Sequence, residues 1–97
     1  MIMNLQTNPA AGLIHDELEA RGIAASRAAS AMHIPRSRLS DIFNGRKGVS
    51  ADTALRIECY LGISASLLLR LQSDFDLSKA NREKGEELKR TIKPLAA

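Results

Sequence analysis

Four interruptions, at Gly22, Ile34-Pro35, Asn44-Gly45 and Gly62, cut this 97-residue chain into segments that suit short, closely packed helices. Each has a physical basis. Glycine and asparagine accept positive φ at little cost, whereas proline removes an amide donor and pushes the residue before it out of the helical region. Between the breaks, apolar residues recur at helical spacing, and few stretches alternate with the β-branched richness of a strand. Asn8-Pro9 opens the first segment, because an Asn side chain can cap a helix and Pro is tolerated in its first turn. Leu13, Ile14 and Leu18 then make the buried stripe of a helix over about residues 9–21, with Asp16, Glu17 and Glu19 on its solvent side.

A second short helix places Ala25, Ala28, Ala29 and Met32 inward, small enough to let a neighbouring helix approach closely. A third begins at about Pro35 with Leu39, Ile42 and Phe43 as its apolar stripe. Ser50 caps a fourth, which carries Ala54, Leu55, Ile57 and Leu61 and in whose first turn Asp52 complements the macrodipole. Ser64 caps a fifth, in which Leu67, Leu68, Leu71 and Phe75 continue the core. Phe43, Tyr60 and Phe75 are the only aromatics. The expected fold is therefore all-α and a single domain, with a tail over 1–8, a body over 9–78 and a charged, helical or mobile arm over 79–97. Leu67-Leu68-Leu69 makes the fifth helix apolar around more than half its circumference, which calls for a dimer mate or a partner protein. From Asn81 to Lys93 charges dominate and Gly85 interrupts. The arm either frays or packs Leu88 and Ile92 across a dimer interface, making Leu68, Leu71, Phe75, Leu88 and Ile92 the candidate dimer residues.

Several function classes drop out. Cys59 is the sole cysteine, so no intrachain disulfide, Cys-paired zinc site or C-x-x-C motif can be built; beside Tyr60 it reads as a core residue. His15, a surface or boundary residue, and His33 stand in no catalytic spacing with Cys59 or the acids, so no enzyme activity, metal or cofactor is expected. No run of apolar residues approaches a membrane span, and a cytoplasmic location is expected.

The net charge of +3 is unevenly distributed. The first twenty residues hold Asp16, Glu17 and Glu19 and no Lys or Arg, whereas from Arg21 to Arg56 the bases Arg21, Arg27, Arg36, Arg38, Arg46, Lys47 and Arg56 stand against only Asp41 and Asp52. That block is either a solvated surface or the docking region of a polyanion. On the third helix, Ser37, Ser40, Asp41 and Asn44 lie opposite the apolar stripe, flanked by Arg36 and Arg38. Short polar side chains let a helix sink toward base edges in a major groove, and Arg pairs bidentately with guanine. A plain surface helix is the other reading of the same pattern.

The stretches Ile34-Pro35-Arg36-Ser37-Arg38-Leu39-Ser40-Asp41-Ile42-Phe43-Asn44-Gly45-Arg46 and Ser50-Ala51-Asp52-Thr53-Ala54-Leu55-Arg56-Ile57 closely resemble the five-helix, lambda-repressor-like DNA-binding domain of the Xre and phage-repressor superfamily. Asn8-Pro9 and the run Leu69-Arg70-Leu71-Gln72-Ser73-Asp74-Phe75-Asp76-Leu77 resemble HigA-type antitoxins, so that the likeness spans about 9–78. It implies a helix-turn-helix of helices 2 and 3, and a homodimer that sets two recognition helices on a palindromic operator in double-stranded DNA. By the same resemblance Arg36, Ser37, Ser40 and Asp41 are base-reading residues, and Ser26, Arg27, Arg38, Arg46 and Lys47 touch phosphates. A HigB-type toxin, a small ribosome-dependent endoribonuclease, is the implied protein partner, neutralised by direct binding, with repression of the shared operon. A stand-alone Xre-type repressor without a toxin is the alternative.

Some positions depart from the pattern. Ala24-Ala25 replace the usual Ser or Thr followed by Gln, losing an N-cap and a phosphate-binding amide. The first helix keeps only the Pro of a His-Pro-Gly-Glu opening. His33 stands where a glycine is common, so strain is expected there. Asp41 brings a negative charge to the groove, suited to cytosine N4 and opposed to phosphate.

Overall fold

The computed structural model describes residues 7–96, and all regular structure among them is helical. The order is α1 (Pro9–Ala20), α2 (Ala25–Ala31), α3 (Arg36–Phe43), α4 (Ala51–Leu61) and α5 (Ala65–Thr91). Most of the expected tail, residues 1–6, lies outside the described residues.

Three of the helices close by one device. The residue after the cap takes positive φ, at Gly22 (65°), His33 (58°) and Gly45 (76°). The next amide then reaches back to a carbonyl one turn inside, Ile23 to Leu18 at 2.9 Å, Ile34 to Ala29 at 3.0 Å and Arg46 to Asp41 at 2.8 Å. This Schellman geometry satisfies carbonyls the helix end leaves open. His33 holds the place that glycine holds in the other two, and the strain expected there lies in its positive φ. Asn8, Ser50 and Ser64 cap α1, α4 and α5 by accepting from the amides of Ala10, Thr53 and Leu67. Ala24 and Pro35 supply no such bond to α2 and α3.

The core gathers Ile14 and Leu18 of α1, Ala28 and Ala29 of α2, Leu39 and Ile42 of α3, Ala54, Ile57 and Leu61 of α4, and Leu68 of α5. Met32, Ile34 and Val49 complete it from the connections. Two expectations are corrected. Cys59 is exposed, because two residues beyond the buried Ile57 a side chain swings about 200° to the outer face; Leu55, two residues before Ile57, is exposed for the same reason. Leu68 is wholly buried within the protomer and so cannot belong to a dimer seam.

The boundary expected at 78/79 falls inside α5, which runs unbroken through Gly85 to Thr91. The Asn81 side chain lies against Gly85 and shields that turn. Good helix formers flank it, and Lys89 and Arg90 in the last turn oppose the dipole. Among the described residues beyond Gln72 all but Phe75 and Gly85 are exposed, so the helix leaves the body as a spar and stretches the molecule to 54 Å.

Candidate nucleic-acid interface

Helices α2 and α3 meet at the turn Met32–Pro35, which is held from behind by α4. The Arg56 guanidinium donates through Nη1 to the carbonyls of Met32 (2.9 Å) and His33 (3.3 Å) and through Nε to Asp52 (2.9 Å). Asp52 also faces Arg38 at 3.4 Å. A single arginine thus closes the C-terminus of α2 and, through Asp52, steadies the first turns of α3.

Leu39 and Ile42 sink into the core and fix the rotation of α3. Its outer side lines an open groove of about 510 Å³ with Arg36, Ser37, Ser40, Phe43 and Asn44, bordered by His15 of α1 and Ala25 of α2. Arg36, Ser37 and Ser40 therefore come together as expected, with the Asn44 amide donating to the Ser40 hydroxyl at 3.2 Å. Asp41 does not line this groove. Its carboxylate accepts from Arg46 at 3.3 Å, and its carbonyl takes the amides of Arg46 (2.8 Å) and Lys47 (3.2 Å), so it organises the loop after α3.

Of the expected phosphate residues, Ser26, Arg27, Arg46 and Lys47 are exposed, whereas Arg38 is half-buried and turned toward Asp52. Arg27, Arg36 and Lys47 make no side-chain hydrogen bond or ion pair among the described residues, which leaves their charges open to a polyanion. The basic middle of the chain is thus two populations. Arg21, paired with Glu17 and donating to the Leu61 carbonyl at 2.9 Å, and Arg56 are structural clasps. Arg27, Arg36, Arg46 and Lys47 face outward, while Arg38 stands between the two groups, half-buried against Asp52.

Residue patterning did not single out Arg56, His15 or Gln72. Arg56 carried a signal, since it stands one helical turn after Asp52. His15 carried none, because its ring reaches the groove only by packing edge-on against Phe43, at 5.5 Å between centroids.

The helix-turn-helix family model matches residues 14–68. Virulence-associated protein I of Dichelobacter nodosus is 35% identical over 77 residues, covering 79% of this chain and 71% of that protein. The chain belongs to the Xre-type helix-turn-helix family, in its HigA antitoxin branch. Two solved structures place it there. The Pseudomonas aeruginosa antitoxin HigA with the higBA promoter superimposes with a TM-score of 0.82 at 30% identity, over 90% of this chain and 96% of that one. The HigA-family addiction module antidote protein of Coxiella burnetii gives 0.79 at 27% identity, over 91% and 96%.

The five-helix HigA-type fold is a DNA-binding fold, and its family comprises regulators and antitoxins rather than enzymes. In this HigA-type chain, no described helix is long and apolar enough to cross a membrane.

Proposed function

We propose that this protein is the antitoxin of a toxin-antitoxin pair, which binds operator DNA as a homodimer, represses its own operon and neutralises a small ribonuclease-type toxin by direct contact. The observation that carries the DNA part is the outward face of α3. Arg36, Ser37 and Ser40 line one groove while Leu39 and Ile42 anchor the helix behind them. The structural neighbour described with the higBA promoter supports operator DNA as the partner.

In this reading α3 enters the major groove, Arg36 reads a base edge, and Ser37 and Ser40 accept or donate at neighbouring pairs. Ser26, Arg27, Arg46 and Lys47 take phosphates and set the register, with Asp41 aiming Arg46. Two protomers address half-sites about 34 Å apart.

Fluorescence anisotropy on a duplex from the chain's own promoter, with scrambled competitor at two salt concentrations, tests it. Specific binding should resist competitor by on the order of a thousandfold. Arg36→Ala should cost about 1–3 kcal/mol and relax preference at one base pair. Weak binding that competitor removes and salt abolishes would leave only the electrostatic contribution. Toxin neutralisation is tested by co-expression with the adjacent reading frame. Rescue of growth that survives Arg36→Ala and Arg46→Ala assigns the two activities to separate surfaces, and absence of any toxin there favours a stand-alone repressor.

A further inference from the structure

Gln72 is a buried polar side chain on α5, far from the recognition helix in sequence, and it bonds the residue that caps α1, the loop after α3 and its own helix one turn on. Its Oε1 accepts from Asn8 Nδ2 at 2.7 Å and from the Val49 amide at 2.8 Å, and its Nε2 donates to Asp76 Oδ1 at 3.0 Å. Asn8 in turn accepts from the Ala10 amide at 2.9 Å, so one carboxamide ties the start of α1 to α5. Val49 is itself buried, and without Gln72 its amide would lose its partner, the costly case for a backbone donor.

The approach is close enough to dictate the neighbouring residue. A Cβ on Gly48 would stand 2.6 Å from Gln72 Nε2 and 2.7 Å from Cδ, so the loop reaches the carboxamide only because residue 48 lacks a side chain. Arg46 and Lys47 precede it directly. Their amides hang on the Asp41 carbonyl at one end of the loop, and Val49 hangs on Gln72 at the other. The cationic pair therefore sits on a short segment clamped at both ends, once to α3 and once to α5.

We infer that Gln72 is a positioning residue for the DNA contact: it fixes the Arg46–Lys47 loop and makes that loop answer to the placement of α5. The inference rests on the operator-binding reading above. It gives α5 a role in DNA affinity without any contact between α5 and DNA, since a shift of α5 is transmitted to Val49 through one amide.

The test uses the full chain, its promoter duplex, and the Val49 amide exchange rate measured by NMR. Gln72→Glu alone sets a carboxylate beside Asp76 and removes the Nε2 donor. It should weaken operator binding about tenfold, lower the salt slope by about one phosphate contact and speed Val49 exchange. Gln72→Glu combined with Asp76→Asn reverses donor and acceptor at the second bond and keeps both acceptor contacts. It should restore affinity, slope and exchange. Gln72→Leu should match or exceed the loss in Gln72→Glu, and if it does not fold, the near-isosteric pair still decides. Folded Gln72→Glu with unchanged affinity and slope, or a combined variant that folds without regaining them, would overturn the inference. If the unaltered chain does not bind its promoter, the operator reading itself fails and takes the inference with it.

Discussion

His33 and Arg56 show how much of the helix-turn-helix geometry hangs on single side chains. A non-glycine residue at φ 58° sits in the left-handed region, which costs an L-residue roughly 1–2 kcal/mol. The Arg56 guanidinium covers the same turn by binding the Met32 and His33 carbonyls. His33→Gly should relieve the strain and, after the entropy glycine gains in the unfolded chain, raise stability by about 0.5–1 kcal/mol with operator affinity unchanged. Urea denaturation at fixed protein concentration measures it. Ala24, which leaves α2 without a side-chain cap, predicts a second gain. Ala24→Ser should add about 1 kcal/mol, read by the same denaturation, provided the serine takes up capping geometry toward the amides of α2. Arg56→Ala goes the other way, freeing two carbonyls and leaving Asp52 with Arg38 alone, and should lower the denaturation midpoint.

Within each helix, rotation decides which side chains serve the core, and patterning read it well where the stripe was unambiguous. In α3 the buried Leu39 and Ile42 and the outward Ser37, with Asn44 at its C-cap, fall as the 3.6-residue period requires, and Arg36 flanks them in the first turn. In α5 three successive leucines gave no single phase, and the packing chose Leu68 for the core while Leu67 and Leu69 stay partly or largely open. Leu68→Ala should therefore cost about 2–5 kcal/mol in unfolding free energy rather than change oligomeric state. Chemical denaturation beside analytical ultracentrifugation separates the two. Gly85 fails to break α5 for a related reason. A lone glycine costs a helix only about 1 kcal/mol relative to Ala, and the Asn81 side chain folded over it and the strong formers around it outweigh that.

For the molecule as a whole, the far half of α5 poses the question of assembly. Leu77, Leu88 and Ile92 are exposed and share one side of the helix, whereas Phe75 lies about 140° round from Leu88 and faces the groove beside Arg46 and Lys47. The proposed dimer residues therefore do not form one seam. Phe75 and Leu71 border the body, and Leu88 and Ile92 belong to the spar. If the spar joins two copies, Leu88→Lys with Ile92→Lys should give a folded monomer whose operator affinity drops by orders of magnitude, because two linked half-sites no longer bind as one unit. An unchanged sedimentation coefficient would move the dimer contact off the spar.

The amino-acid sequence by itself determined the helix count, the breaks and the outward face of α3, since caps, positive-φ residues and the 3.6-residue period are local properties of the chain. Tertiary structure alone decided that Arg56 closes the turn after α2, that Asp41 serves Arg46, which of the three α5 leucines is core, and that Gln72 joins α1, α5 and the loop after α3. Those outcomes depend on groups up to 64 positions apart meeting across a packed interior, where burial makes an unpaired polar group costly. No spacing along the chain records that requirement.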